Sequence, residues 1–371
     1  ERLSQVAHEL EERIYYRAGG EFNINSPKQL GEVLFVRLGL PVDKKTKTGF
    51  STGAEILNKL RPYHPIIEDI LEYRQVTKLK STYVDGLLKV ADSDARVHTN
   101  FKQTGTATGR LSSTDPNLQN IPVRTELGRE LRRFFVPKNE KYVLIDADYS
   151  QIELRLLAAI SGDENMIGAF LSGADIHTST AATVFGVPPE DVTPELRKRA
   201  KAVNFGIMYG IGEYSLSQDL GISVSQAKRY IADYLASYPA IDAYLKTTIR
   251  RAYEDGFVTT IFGRRRYIAE LSSQKHQLRA FGERVAMNSP IQGSAADIIK
   301  LAMINVERRL RQSGIDAKLI LQVHDELIIE ANRDCADEAR TILREEMEGA
   351  VSLPVPLTVD VEQGDSWFEC K

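Results

Sequence analysis

Tyr142-Val-Leu-Ile-Asp-Ala-Asp-Tyr-Ser-Gln-Ile-Glu153 decides how this chain is read. Tyr142 to Ile145 is a buried-strand run that leads into Asp146 and Asp148, and a helix follows from about Gln151. Far downstream, Lys318–Val323 and Leu327–Glu330 have two further strand patterns. His324-Asp325-Glu326 sits between them and reads as the tip of a β-hairpin. From Ala159 to about Gly282 the pattern is helical, broken by Gly and Pro turns. Strands on both sides of a helical insertion imply a small sheet with helical lobes attached, an α+β arrangement.

If the hairpin pairs beside the first strand, the carboxylates of Asp148 and Asp325 meet at one end of that sheet. Two close carboxylates resist joint ionisation unless a cation lies between them. Oxygen ligands suit Mg²⁺, which takes its remaining ligands from water and substrate phosphates. A pair of such ions clamping attacking and leaving oxygens is a physical solution for phosphoryl transfer. Blander readings stand beside this one. Ser150 to Glu153 fits a capping box, which makes Asp148 an acid before a helix, and Asp325 fits an ordinary polar turn.

Arg197, Lys201, Phe205 and Tyr209 recur every four residues. On a helix each such step drifts by only about 40°, so they form one slanted stripe, basic at its start and aromatic at its end. Arg and Lys can grip a polyphosphate, and the aromatic faces can pack on a sugar and base. Surface solvation and core packing explain each half separately but not their union. Gln103 to Arg124 is polar and loop-like, with Thr106, Thr108, Arg110, Asn117, Gln119, Asn120 and Arg124. Such donors grip backbone phosphates and groove edges, although a polar loop is commonly nothing more.

The chain opens on an amphipathic helix marked by Leu3, Val6, Leu10 and Ile14. Ser26-Pro27 starts another helix, Gly39 is a stop, and helical patterns run to about Leu88. Residues 1–135 carry 21 basic and 17 acidic side chains, 136–300 carry 19 of each, and 301–371 carry 8 and 15. A polyanion would therefore sit on the first two thirds, near Lys44-Lys45, Lys78/Lys80, Arg132-Arg133, Arg197-Lys198-Arg199 and Arg264-Arg265-Arg266. No apolar run approaches the roughly 18 residues that span a bilayer. Cys335 and Cys370 match no metal spacing, and with no signal peptide at the start, a reduced cytoplasmic setting is expected. With Glu1 and not Met at its start, the chain is expected to be a fragment or processed product.

Several motifs now fall into one order. Asp148-Tyr-Ser-Gln-Ile-Glu-Leu-Arg155, the stripe from Arg197 to Gly210 and Val323-His-Asp-Glu326 resemble motifs A, B and C of family A DNA polymerases. Thr106-Ala-Thr-Gly-Arg-Leu-Ser-Ser113, Asp115-Pro-Asn-Leu-Gln-Asn-Ile-Pro122 and Asn288-Ser-Pro-Ile-Gln-Gly-Ser-Ala-Ala-Asp297 resemble the same family in the same order. The resemblance covers nearly the whole chain. It implies a right-hand fold with an antiparallel-sheet palm (97–160 and 286–371), helical fingers (161–285) and a helical thumb (1–96). The implied activity is DNA-templated extension of a primer 3′ end with deoxynucleoside triphosphates, in replication and repair, by a monomer.

By the same resemblance Asp148, Asp325 and the carbonyl of Tyr149 would hold two Mg²⁺ ions, and Lys201 joins the two acids in catalysis. Gln151, Glu153, His177, Arg197, Lys201, Phe205 and Tyr209 would bind the nucleotide. Within that set Glu153 crowds the sugar 2′ position, Phe205 packs on the sugar and base, and Tyr209 flanks the template base. Arg110, Asn117, Asn120, Asn288, Gln292 and His324 would meet the primer-template near the reacting end, and Arg74 and Lys78 the duplex backbone. The family's nuclease domains lie upstream of this region, so no proofreading is expected of the chain. A two-metal nuclease would leave the Arg-Lys-Phe-Tyr stripe without a use, and a non-catalytic nucleic-acid binder would leave the acids without one. A single-subunit RNA polymerase of related fold would not place a bulky acid at position 153.

Overall fold

The computed structural model describes all residues except Asp43, Lys44, Lys47, Thr48, Arg124 and Lys371. The roles expected of Arg124 and of Lys44 therefore lie outside the described residues. Contacts divide the chain into two compact units, Glu1–Asn100 with Asp115–Asn117, and Phe101–Thr114 with Leu118–Lys371.

The first unit is helical, as its periodicity predicts. Its helices are α1 (Arg2–Ala18), α2 (Pro27–Glu32), α3 (Ala54–Leu60), α4 (Ile66–Lys78) and α5 (Asp85–Leu88), with a short ribbon of β1 (Lys45–Thr46) and β2 (Gly49–Phe50). Leu10, Ile14 and Ala18 form the buried face of α1, which packs on α4. Two ion pairs fasten the contact: Arg13 and Arg17 reach the buried Asp69 carboxylate at 3.1 and 2.9 Å. Ser26 caps α2 by accepting from the Gln29 amide, with Pro27 in the first turn. A wider π-type turn, Val33–Arg37, continues that helix until Gly39 takes a left-handed φ of 63°.

The unit boundary falls after the first residue of β3 (Asn100–Lys102), which pairs with β4 (Ser112–Thr114), and the second unit goes on with α6 (Glu126–Glu130) and β5 (Tyr142–Tyr149). Then come α7 (Ile152–Ser161), α8 (Glu164–Leu171), α9 (Ile176–Phe185), α10 (Pro194–Met208), α11 (Glu213–Leu220), α12 (Val224–Ser237) and α13 (Pro239–Asp255). A hairpin of β6 (Phe257–Thr259) and β7 (Arg265–Tyr267) interrupts the helical run. After it come α14 (His276–Ser313), β8 (Ala317–Val323), β9 (Glu326–Asn332), α15 (Ala336–Glu348) and β10 (Val359–Gly364). The boundary expected at 285/286 thus falls inside α14, which carries Pro290 in its interior and runs on as one helix.

The four-stranded sheet has the order β10-β5-β9-β8, antiparallel throughout, so the strand near the middle of the chain is central. Side chains alternate across a strand. Val143, Ile145, Ala147 and Tyr149 join Leu327, Ile329 and Ala331 in one core with α7, α14 and α15. The opposite face of β5 carries Leu144, Asp146 and Asp148, and in register with them on β9 stand Glu330, Ile328 and Glu326. The C-terminal segment covers that face. Trp367 donates through Nε1 to Glu326 at 2.8 Å, and Arg132 stacks 3.9 Å from the Trp367 ring.

The hairpin turn is shorter than the sequence suggested. Only His324 and Asp325 form it, and Glu326 already belongs to β9. β10 and the β6–β7 hairpin were not legible as strands. Among the described residues no helix is long and apolar enough to cross a membrane.

Burial fixes which strand residues carry stability. Ile329 is 0% exposed on the core face of β9, whereas Ile320, beside the irregularity in β8, is 37% exposed. We predict that Ile329→Ala lowers the stability of this unit by about 2–5 kcal/mol. Ile320→Ala should change it by only about 0.5 kcal/mol. Equal losses in denaturant titrations would contradict this assignment of the two faces.

Candidate active site

β5 delivers Asp148 to the end of the sheet, and the β8–β9 turn delivers Asp325 beside it. The register pairs Asp148 with Glu326, and the Tyr149 amide donates to the Asp325 carbonyl at 3.1 Å, so the two acids are neighbours. The expected meeting of the strands therefore occurs. Burial pushes the Asp325 carboxyl up to about 6; Arg110 opposes the shift, and the charges of Glu153 and Asp148 add to it. Crowded acids of this kind favour a cation between them. Among the described residues no group of three or more His, Cys, Asp and Glu side chains stands ready to hold a metal. Two carboxylates with a nearby carbonyl still fit Mg²⁺, which draws its other ligands from water and phosphate.

Glu153 is 5% exposed and does not close a capping box. The N-cap of α7 is Gln151, in a left-handed conformation (φ 56°, ψ 39°) and without a side-chain cap. With Ser150 displaced from the cap, Glu153 turns to other partners. Its carboxylate accepts from Arg110 Nη2 at 3.0 Å and from the Tyr209 hydroxyl at 2.6 Å. Arg110 also lies 3.6 Å from Asp325 Oδ1, so one guanidinium links the two acids. Burial and the Glu153 charge raise the Tyr209 phenol, which therefore stays a donor.

Helix α10 starts where Thr193 caps the Leu196 amide and Pro194 takes the first turn, and it ends at Tyr209. Phe205 and Tyr209 stack with centroids 6.4 Å apart and planes 22° off parallel. Lys201 is exposed on the same helix. Arg197 is also exposed and forks onto Asp175 through Nε and Nη2 at 3.0 and 2.6 Å. Burial works against the Asp175 charge, but the bonds from Arg197 and Thr178 hold its carboxyl well below the usual range. His177 is buried at the start of α9, its ring 5.9 Å from that of Phe205. Burial, with help from Arg197 and Lys201, pushes its pKa down to about 4 against the pull of Asp175. It is therefore a neutral imidazole and not a third cation.

The segment around Arg110 is fastened by a residue that the sequence left among ordinary basic clusters. Arg264 donates to Asp297 at 2.8 Å, to the Thr108 carbonyl at 2.9 Å and to the Gly293 carbonyl at 3.0 Å. Gly109, at φ 83°, is required here: a Cβ on it would come within 2.4 Å of the Arg264 guanidinium. Asn288 and Gln292 lie half-buried on α14, and the Asn288 Oδ1 is buried without a hydrogen-bond partner among the described residues. Asn120 and His324 are exposed. Gln119 donates to the side chain of Gln322 at 2.9 Å, and Gln322 donates to the His324 carbonyl, which braces the turn.

Arg74, Lys78 and Asn117 belong to the first unit. Arg74 is half-buried and gives Nη1 to the Thr52 carbonyl at 2.6 Å, while Lys78 and Asn117 are exposed.

Two shifted groups set opposite slopes of stability with pH. Asp325 titrates near 6 in the folded chain against an ordinary 3.8, so its contribution is full below 3.8 and is lost as pH rises through about 6. His177 moves from 6.5 to about 4, so its contribution is present above 6.5 and is lost as pH falls through 4. We predict that, in chelator, Asp325→Asn makes stability rise more steeply than in the parent between pH about 4 and about 6. Denaturant midpoints along that interval measure the slopes, and parallel curves would show that Asp325 carries no shift.

Comparison with known proteins places this geometry. The model for DNA polymerase family A matches residues 1–369. DNA polymerase I of Bacillus subtilis (strain 168) is 54% identical over 372 residues, which cover 100% of this chain and 42% of that protein. DNA polymerase I of Caldicellulosiruptor bescii is 56% identical over 363 residues, covering 98% and 43%. The chain thus spans less than half the length of these curated relatives. A solved structure, the POL domain of Pol1 from M. smegmatis in complex with DNA primer-template and dNTP, superposes with a TM-score of 0.94 at 46% identity. It covers 100% of this chain and 65% of that one. The chain belongs to DNA polymerase family A.

Proposed function

We propose that the chain is a DNA-templated DNA polymerase that extends a primer 3′ end with deoxynucleoside triphosphates. The observation that carries this reading is the junction at Glu153. One buried carboxylate joins the aromatic end of α10 to Arg110, and Arg110 in turn meets the acid of the β8–β9 turn. A nuclease needs the acids but has no use for that junction. In this reading residues 1–96 are the thumb, 97–160 and 286–371 with the four-stranded sheet the palm, and 161–285, which hold α8 to α13, the fingers, in a cytoplasmic monomer.

Asp148 and Asp325, with the Tyr149 carbonyl, would hold two magnesium ions. Magnesium, when bound, shares the charge of attacking and leaving oxygens. The primer 3′ hydroxyl gives its proton to solvent water as its oxygen forms a bond to the α-phosphorus, and the bond from that phosphorus to the pyrophosphate oxygen breaks. Lys201 offers positive charge, and a proton, to the departing pyrophosphate. Arg197 releases Asp175 to take phosphate, an exchange favoured by an exposed pair worth only about 0–1 kcal/mol. His177 adds a neutral N–H to the phosphates. Phe205 packs on the incoming sugar and base, Tyr209, stacked with it, flanks the template base, and Gln151 also binds the nucleotide. Glu153 fills the space that a 2′-hydroxyl would need. Arg110, Asn117, Asn120, Asn288, Gln292 and His324 meet the primer-template near its end, and Arg74 and Lys78 its backbone.

Extension of a labelled primer on a DNA template, with and without magnesium, tests the reading. We predict that Asp148→Ala and Asp325→Ala abolish extension and leave duplex affinity within about threefold, because phosphate contacts spread over the chain supply most of the affinity. Turnover within about tenfold of the parent in either variant would overturn the metal assignment. Cleavage of the primer in place of extension would favour a nuclease.

Sugar choice gives a sharper test. Burying an unpaired hydroxyl costs about 1–3 kcal/mol, so that term alone discriminates roughly 5- to 150-fold, and the clash with Glu153 adds to it. We predict that Glu153→Ala raises ribonucleotide insertion relative to deoxynucleotide insertion by more than about tenfold. Tyr209→Phe keeps the ring but removes the bond at 2.6 Å, and should produce a smaller rise. An unchanged ratio in both variants would leave Glu153 as a structural anchor for Arg110.

A further inference from the structure

Three side chains buried between α9 and α10 form a directed hydrogen-bond chain. Asn204 is 0% exposed and lies on α10 among apolar neighbours, where an amide has no place unless both its ends are bonded. Its Oδ1 accepts from the hydroxyl of Thr180 at 3.1 Å, and its Nδ2 lies 3.0 Å from Nδ1 of His177. The direction of this chain follows from the two ends of the amide. Thr180 gives its single hydroxyl proton to Asn204 Oδ1, the end of the amide that can only accept. The amide is thereby oriented with its NH₂ toward His177. An NH₂ can only donate, so Nδ1 must be the bare, accepting nitrogen of the ring, and the ring proton sits on Nε2.

We propose that Asn204 is a positioning residue that holds His177 as the neutral Nε2–H tautomer, so that the ring offers a hydrogen-bond donor to a phosphate oxygen of the incoming nucleotide. The proposal rests on the reading of α10 as the nucleotide-binding helix. The charged groups around the ring are Asp175, Arg197 and Lys201. Two cations already stand there, so a neutral donor adds a bond without adding a third positive charge beside them. The opposite tautomer would present a lone pair to an anion and repel it. The tautomer thus decides whether His177 aids or hinders phosphate binding, and Thr180 and Asn204 set it without touching the nucleotide.

The decisive measurement is a two-bond proton–nitrogen spectrum of the full 371-residue chain with isotope-labelled histidine at about pH 7. His177→Gln identifies the ring's signals among those of the 6 histidines. We expect Nε2 protonated and Nδ1 bare; a ring protonated on Nδ1, or on both nitrogens, overturns the proposal. Thr180→Val removes the proton that orients the amide, so the ring should populate both tautomers. The same variant should raise KM for a deoxynucleoside triphosphate by roughly tenfold with kcat within about twofold. Thr180→Ser should restore both the spectrum and KM. A ring that changes tautomer while KM stays at the parent value would overturn the link to the nucleotide. The spectrum does not depend on turnover, so a chain that extends no primer would sink the polymerase reading and still report the tautomer.

Discussion

Asp148, Asp325 and Glu153 bring three carboxyl groups to one end of the sheet. Like charges about 4 Å apart repel by about 4 kcal/mol even at an effective dielectric of 20, more than a typical hydrogen bond returns. The site is arranged around that repulsion. Glu153 is given two donors, one of them the always-charged Arg110. Asp325 keeps its proton to about pH 6. Arg110 approaches Asp325 only to 3.6 Å, longer than a hydrogen bond, which leaves that acid the one best placed to serve another cation. The division is electrostatic: Glu153 is bonded by the protein, whereas Asp325 has the same guanidinium beyond hydrogen-bond reach.

The sheet makes the crowding possible, and loops keep it in register. β5 and β9 come from distant parts of the chain, and their pairing sets Asp148 opposite Glu326 and next to Asp325. Arg110 enters from a third segment, between β3 and β4. A short stretch of this kind has little core of its own, so Arg264 ties the Thr108 carbonyl to α14 through Gly293 and Asp297. Gly109 permits that approach. The Arg264 clamp and the Gln119–Gln322 bond to the hairpin serve one purpose, to make distant segments share one geometry.

Much of this was legible in the sequence for a physical reason. A strand buried on one face and acidic on the other reads as apolar residues running into Asp146 and Asp148, and a basic-to-aromatic stripe reads at helical spacing. The rest was hidden because it depends on tertiary contact. β10 is a short alternation, Val359 to Gly364, and it follows prolines that mark a loop. Glu153 looked able to cap its own helix because nothing local shows that Gln151 takes a left-handed conformation. Arg264 stood in a triplet of arginines, with no sign of which one turns inward. Asn204 did leave a signal, a short amide in the middle of a helix whose neighbours are buried, and such a breach of local preference often marks a functional position.

The same logic applies to the backbone. Gln151 and His324 are two of the described non-glycine residues at positive φ, at 56° and 53°. A left-handed L-residue costs roughly 1–2 kcal/mol, so neither would adopt that conformation on propensity alone. Gln151 follows Asp148 by three positions, and His324 immediately precedes Asp325. Strain on both sides of the acid pair means that surrounding bonds override local preference there. Those bonds are visible: the Tyr149 amide to the Asp325 carbonyl, the Ser150 amide to the Thr358 carbonyl, and the Leu154 and Arg155 amides to the Gln151 carbonyl. The first two bind the end of β5 to its neighbours before the chain turns, and the last two start α7 at once. Between them Gln151 joins strand to helix in its left-handed conformation, and two residues on Glu153 turns inward to Arg110 and Tyr209. The strained residue and the buried acid are thus consequences of one requirement, that the helix begin immediately after β5 ends.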